Sequence, residues 1–174
     1  AFGQLIKEKL LEEYKNKIIN LHPSSLPKYR GSSPVQFSLL NGDKKTHASA
    51  MLIEKEMDSG DILNQKEVEI KAEDDFTSLS EKLSKIGSEV ILESVLNYDE
   101  FMKNRTKQDN DKATFTKKIT KEMGKIDFNQ SKEEIINKIR AFVEFPKAYF
   151  SYKNENVKIL KASPVEIENS KISF

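Results

Sequence analysis

An apolar run that ends in Asn20-Leu21-His22 is cut by Pro23 and again by Pro27, and this punctuation decides where the chain must leave a sheet. Proline has no backbone N–H and a fixed φ, so a central strand cannot run through it. Lys17 to Leu21 is therefore expected as a short strand, followed by a loop through Lys28-Tyr29-Arg30-Gly31. Successive strand side chains point to opposite faces, which sets Asn20 and His22 on one face and Leu21 on the other. A hydrogen-bond donor and a titratable ring then stand side by side at a strand end.

The remaining punctuation describes an α/β chain. Ser33-Pro34 predicts an N-cap and first turn for a helix over 34–40, ended by Asn41-Gly42. Strands are expected over 47–55 and 62–70, separated by the turn Asp58-Ser59-Gly60-Asp61. Phe76, Leu79, Leu83, Ile86 and Val90 recur at helical spacing and predict one amphipathic helix ending near Leu96. Upstream, Lys7 to Tyr14 is helix-like, and Ala1-Phe2-Gly3-Gln4 begins so abruptly that the chain reads as cut from something larger.

Past Leu96 the apolar rhythm lapses, and the Lys, Asn, Asp and Gln of 97–113 have the composition of an exposed connector. A second module starts near Thr114. It holds the capping box Ser131-Lys132-Glu133-Glu134 before a helix that buries Ile135, Ile136 and Ile139. Strands over 148–152 and 157–161 follow, joined through Asn154-Glu155-Asn156. The expected organisation is a catalytic domain over 1–98, a linker over 99–113 and a carboxyl-terminal domain over 114–174.

Composition narrows the function. A 174-residue chain with 37% hydrophobic residues can bury one good core with a small appended module. No apolar run is long enough to span a membrane, and the charged first residues do not read as a secretory signal, so a cytoplasmic enzyme without membrane contact is expected. The absence of cysteine and the presence of only two histidines, His22 and His47, argue against a metal site. Lys103 to Lys125 carries eight basic residues against Asp109, Asp111 and Glu122. That excess suits either a solvated linker or a track for phosphates.

The residues themselves suggest a triad of Asn20, His22 and Asp58. A carboxylate would orient the imidazole while the amide donates to a developing oxyanion. No serine or cysteine nucleophile is required, which suits direct acyl transfer to a bound amine. The competing reading makes His22 a structural residue after a strand. His47, in a strand without a catalytic pattern, is expected to be structural or exposed, Gly60 a turn glycine, and Arg30 either a phosphate contact or a loop anchor.

Asn20-Leu21-His22, then Ser24-Ser25-Leu26-Pro27-Lys28-Tyr29-Arg30-Gly31, then Asp58-Ser59-Gly60-Asp61, together resemble the signature of the folate-dependent formyltransferases. Ser32-Ser33-Pro34-Val35-Gln36, Thr114 to Phe128, and Phe145-Pro146-Lys147-Ala148-Tyr149-Phe150 resemble the branch of that family acting on methionyl-tRNA. The family is longer at both ends, so the resemblance makes this an interior fragment. It implies the carboxyl-terminal half of a Rossmann-like formyltransferase sheet, followed by part of a small OB-like β-barrel.

The resemblance also implies roles. Asn20, His22 and Asp58 fall on the catalytic positions. Ser24, Ser25, Leu26 and Pro27 fall on the folate-contacting loop, with Ser25 in place of the usual leucine. Phe2, Gly3, Gln4, Leu5 and Ile6 fall on the wall of the pterin pocket, Lys7 replaces a usual proline, and Ile53 to Met57 match a loop that meets the pterin through its backbone. The implied co-substrate is 10-formyltetrahydrofolate, without a metal, and the implied partner is initiator methionyl-tRNA, engaged by a monomer through Lys117, Lys118 and Lys121. A sugar-nucleotide or glycinamide-ribonucleotide acceptor, or a fragment that only binds RNA, are the competing readings.

Overall fold

The structure, a computed structural model, describes residues 6–165. Its amino-terminal part contains α1 (Glu8–Glu13), β1 (Ile19–His22), β2 (Arg30–Gly31), α2 (Pro34–Leu40), β3 (Lys45–Leu52), β4 (Ile62–Glu69) and α3 (Phe76–Leu96). Strands β1, β3 and β4 form one sheet in the order β1-β3-β4, with both pairings antiparallel. His22 is the last residue of β1 and lies opposite Ser49. The helix expected at 34–40 and the long helix at 76–96 form with those bounds. Strand β3 stops at Leu52, earlier than expected, because the chain turns out there into the loop that carries Asp58.

Helix α3 covers one face of the sheet. Asp75 caps it, its carboxylate accepting from the Ser78 N–H at 2.9 Å while the Ser78 hydroxyl accepts from the Asp75 N–H at 3.1 Å. Leu79, Leu83 and Val90 are buried against Ala48, Ala50 and Val68. The small alanines and Gly87 let helix and sheet approach closely: a Cβ on Gly87 would lie 2.5 Å from Leu21 Cδ2. Leu21 is thereby committed to the helix side, and strand alternation turns Asn20 and His22 to the other face.

The carboxyl-terminal part comprises α4 (Tyr98–Asn104), β5 (Phe115–Thr116), α5 (Lys132–Ala141), β6 (Ala148–Tyr152) and β7 (Glu155–Ile159). The capping box at Ser131 forms, with Ser131 N–H donating to Glu134 at 2.9 Å. Helix α5 does not stand apart from the sheet domain. Ala141, Phe142 and Ile119 share one core with Val35 and Leu39 of α2. Among the described residues, the expected barrel is represented by α5 and a two-stranded hairpin. That hairpin turns at Lys153 and Asn154, with φ of 48° and 66°, so β7 begins two residues before the expected position. Both turn residues take the left-handed conformation that a tight two-residue hairpin demands.

The expected exposed connector is largely a fastened segment. Its first part is α4, with Asp99 and Glu100 in the first turn and Lys103 in the last, a charge order that suits the helix dipole. Thr106 exchanges both backbone hydrogen bonds with Ile62, each at 2.9 Å, and Arg105 pairs with Asp61 at 2.8 Å. Gln108 is buried, and β5 lies parallel to β2. Most side chains of this segment are exposed, as a polar composition leads one to expect, but Gln108 turns inward to the Asp58 and Gly60 carbonyls, which composition alone does not announce.

Gly60 packs tightly rather than merely turning. A Cβ there would fall on the Leu52 carbonyl, so the Asp58 loop can lie against β3 only without a side chain at this position. Gly60→Ala is expected to cost about 1–3 kcal/mol, the usual penalty of overpacking. It should lower the urea midpoint of unfolding with an unchanged slope. A wild-type midpoint would contradict this packing.

Candidate active site

His22 is 5% exposed, and both ring nitrogens face polar partners. Nε2–H donates to the Tyr29 carbonyl at 2.9 Å, which fixes the proton on that nitrogen, and Nδ1 stands 3.7 Å from Asp58 Oδ2. Tyr29 presents its carbonyl inward by adopting a left-handed φ of 63°. Such a conformation costs roughly 1 kcal/mol for a residue with a side chain. Tyr29 is held there at both ends. Its N–H donates to Thr114 Oγ1 at 2.9 Å, and its hydroxyl donates to Asp43 at 2.7 Å while accepting from Asn41 at 2.9 Å. Burial pushes the Tyr29 hydroxyl up to about 12, Asn41 opposing and Asp43 adding to the shift, so it remains a donor at every physiological pH.

Asp58 sits in the loop between β3 and β4, also with a left-handed φ, of 50°. Its Oδ2 accepts the Gly31 N–H at 2.7 Å. Gly31 has a φ of 113°, open essentially to glycine alone, and a Cβ there would lie 2.6 Å from the Thr116 carbonyl. Glycine is therefore required both for the conformation that aims this N–H and for the close approach of β5. Asn20 and Asp58 line one cleft of about 470 Å³, walled by Ile6, Met51, Ile53 and Met57. His22 lies behind Asp58, beneath the cleft surface. Apolar side chains share the cleft lining with Asn20, Asp58 and the charged Glu54, Lys55 and Glu56, a mixture of shape and polar contacts that a small-molecule site can use.

The loop after His22 is turned inward. The Ser24 hydroxyl donates to the Lys28 carbonyl at 2.6 Å, and the Ser24 carbonyl accepts from Ser49 at 2.6 Å. Ser25 bonds His47, Leu26 packs with Met51 and Ile62, and the Pro27 carbonyl accepts from the Thr114 N–H at 3.3 Å. None of Ser24, Ser25, Leu26 and Pro27 is on the cleft wall, because each is used in holding the loop closed. Of the expected pterin wall, Ile6 does line the cleft, whereas Phe2, Gly3, Gln4 and Leu5 lie outside the described residues. Ile53 through Met57 line it as well.

Arg30 is 3% exposed and bonds Gln108 and Asn110, so it anchors the loop rather than offering charge to a phosphate. In the basic stretch, Arg105 and Lys112 are paired with Asp61 and Asp109. Lys117, Lys118 and Lys121 are exposed, and Lys121 borders a shallow depression with Lys147 and Lys158. Among the described residues no cluster of His, Cys, Asp or Glu is suited to a metal ion, and no helix is long and apolar enough to cross a membrane. Tyr29, Gln108 and Thr114 support the site without any spacing that would have announced them. Their partners are distant in sequence.

With this geometry in place, residues 1–95 match the family described as formyl transferase, and residues 118–173 match the formyl transferase C-terminal domain. The chain belongs to the formyl transferase family. It is 42% identical over 166 residues to a methionyl-tRNA formyltransferase of Sulfurihydrogenibium sp., covering 95% of this chain and 53% of that protein. To the methionyl-tRNA formyltransferase of Finegoldia magna it is 39% identical over 159 residues, 91% of this chain and 51% of that protein. The chain thus spans about half the length of the curated relatives it matches. Among solved structures, an N-formyltransferase from Helicobacter canadensis in complex with folinic acid and dTDP-3-aminofucose superposes with a TM-score of 0.75 at 26% identity, over 92% of this chain and 58% of that one. The methionyl-tRNA formyltransferase of Clostridium thermocellum, at 24% identity and a TM-score of 0.73 over 95% of this chain and 70% of that one, shares the fold. These formyl transferases confirm the Rossmann-like formyltransferase architecture of the amino-terminal part.

His47 is held in structural contacts. Its Nδ1 meets Ser25 Oγ at 2.7 Å and its Nε2 faces Glu67 at 4.0 Å. Burial lowers its pKa from the ordinary 6.5, Glu67 opposing and Lys45 adding to the shift. The unfolded chain therefore binds the proton more readily, and stability rises with pH in that window. Stability contributed by neutral His47 should be full above about pH 6.5 and fall as pH drops through the lower folded value. Urea midpoints measured from pH 7.5 to 5 are expected to fall less steeply in His47→Gln. Equal slopes would remove His47 from the acid response.

Proposed function

We propose that this chain carries the reactive centre of an enzyme that moves the formyl group of 10-formyltetrahydrofolate to the α-amine of methionine on initiator tRNA. The observation that carries the reading is the juxtaposition of Asn20, His22 and Asp58 at a cleft walled by Ile6, Ile53 and Met57. Relatives named methionyl-tRNA formyltransferase, at 39% and 42% identity, favour the tRNA acceptor. A structural neighbour bound to folinic acid favours a folate donor.

The amine attacks the formyl carbon, a C–N bond forms, and the bond to N10 of the folate breaks. As charge collects on the formyl oxygen, the Asn20 amide donates to it. His22 gives Nε2–H to the Tyr29 carbonyl and turns Nδ1 toward Asp58 at 3.7 Å, so its imidazolium form contributes positive charge behind Asp58 rather than an N–H aimed at the formyl oxygen. Asp58 Oδ2 is held by Gly31, leaving Oδ1 to take the amine proton through a water. That proton ends on N10 of tetrahydrofolate, and the sum is neutral. A positioned acid or base contributes about 10² to 10⁴-fold, and loss of an oxyanion donor costs roughly 3 kcal/mol.

Exposed Lys117, Lys118 and Lys121 are assigned to the phosphates of the tRNA, acting as point charges that place the RNA without reading its sequence. A second acceptor keeps a claim on this chain, because the neighbour from Helicobacter canadensis was solved with an amino-sugar nucleotide.

Single-turnover assays of the full-length protein with 10-formyltetrahydrofolate should show formylation of methionyl-tRNA in preference to dTDP-amino sugars. The reverse preference would replace the acceptor and keep the chemistry. Asn20→Ala, His22→Ala and Asp58→Ala are each expected to slow transfer by about 10²-fold or more with the fold intact. Near-normal transfer by any of them removes that residue from the mechanism. Reversal of Lys117, Lys118 and Lys121 to glutamate should weaken tRNA binding and flatten its salt dependence, leaving folate binding unchanged.

A further inference from the structure

The polar segment after α4 sends one side chain into the interior. Gln108 is 6% exposed and makes four hydrogen bonds to three groups. Its Oε1 accepts from Arg30 Nε at 3.1 Å and from Arg30 Nη2 at 2.9 Å. Its Nε2 donates to the Asp58 carbonyl at 2.9 Å and to the Gly60 carbonyl at 2.7 Å. Only one orientation of the amide satisfies this set. Reversed, it would set NH₂ against a guanidinium and oxygen against two carbonyls.

The two halves of that amide grip the two strips of chain that form the Asp58 carboxylate site. Arg30 precedes Gly31, whose N–H holds Asp58 Oδ2 at 2.7 Å, and the Asp58 and Gly60 carbonyls bracket the turn in which Asp58 takes its left-handed φ of 50°. The two strips also meet in that carboxylate contact itself and, at one remove, through His22 between the Tyr29 carbonyl and Asp58 and through β5 and Thr106. We propose that Gln108 is a positioning residue for Asp58: by tying Arg30 to the Asp58–Gly60 turn it fixes the carboxylate at the distance from Gly31 and His22 that the reaction uses. Its chemical role rests on the formyl-transfer reading, while its structural role does not.

Gln108→Glu separates the two grips. A carboxylate still accepts from Arg30, so the buried guanidinium stays satisfied, but it cannot donate to the Asp58 and Gly60 carbonyls. In the full-length protein, the Gly31 amide in Gln108→Glu should exchange with solvent at least about tenfold faster, while amides in the middle of α3, such as Val90, keep their protection. Unchanged protection at Gly31 overturns the proposal whatever the chemistry. Should the α3 amides also lose protection, Gln108→Asn is read in the same way, since it keeps both kinds of group on a shorter arm.

A double-mutant cycle with Asp58→Asn then tests whether Gln108 acts through Asp58. Single-turnover transfer should fall by about 10- to 100-fold in Gln108→Glu with KM for the folate little changed. The same substitution should cost less than about twofold once Asp58 is asparagine. An equal loss in both backgrounds would make Gln108 merely structural and overturn the inference. If Asp58→Asn itself transfers at the wild-type rate, the formyl-transfer reading of Asp58 fails instead, and the amide exchange result decides the positioning role on its own.

Discussion

The hydrogen bond from the Gly31 N–H to the Asp58 carboxylate is the contact on which the rest of the site depends. It joins the loop that leaves β1 to the loop that leaves β3, two stretches that the sheet alone would let diverge. A charged acceptor on a backbone donor at 2.7 Å is a strong hydrogen bond, worth roughly twice a neutral one. Once it forms, Asp58 faces His22, and His22 is already held from behind by the Tyr29 carbonyl. The donor itself is aimed only because β5 lies parallel to β2 and because no Cβ intervenes between Gly31 and Thr116. A two-residue pairing between distant parts of the chain thus controls the geometry of a carboxylate.

Leu21 fixes the other half of the arrangement. Its contact with Gly87 settles which face of β1 meets α3, and Asn20 and His22 take the opposite face as a consequence. The same small-residue logic recurs on β3, where Ala48 and Ala50 lie under the helix. Packing on one side of the sheet therefore positions chemistry on the other. A residue that never approaches the cleft decides which side chains enter it.

What could be read from the chain were the features with a local cause. Strand alternation placed Asn20 and His22 together, the Ser33-Pro34 and Ser131 signals placed two helix starts, and periodicity placed α3 from Phe76 to Leu96. What escaped were groups whose partners are far away in sequence. Gln108 and Asn110 look like connector residues because polarity is the same whether the partner is water or a group of the protein. Arg30 could not be assigned for the same reason: its charge is evident, but its burial against Gln108 is a tertiary fact. Ser24 through Pro27 were legible as a loop and were assigned by likeness to folate contact. Their inward bonds to Lys28, Ser49, His47 and Thr114 required the fold to be known.

The left-handed residues explain why so much of the chain is spent on so small a region. Tyr29, Gly31 and Asp58, with φ of 63°, 113° and 50°, all lie around the His22–Asp58 pair. Residues with side chains in this region cost on the order of 1 kcal/mol or more, and such strain persists only where the surroundings over-determine it. Here the surroundings do so: Tyr29 is fixed at its amide, carbonyl and hydroxyl, and Asp58 at its carbonyl and carboxylate. The restraints come from the turn after α2, from Thr114 just before β5 and from Gln108 after α4, as well as from the sheet. A carboxyl-terminal segment that served only to hold RNA would not need to bond the Tyr29 amide, the Arg30 carbonyl and the Asp58 carbonyl through Thr114, Thr116 and Gln108. The segment that leads into Lys117 and Lys118 pairs with β2 through β5, and its Thr116 Oγ1 accepts from the Ser33 N–H at 3.2 Å, so a shift of that segment would be felt at Gly31.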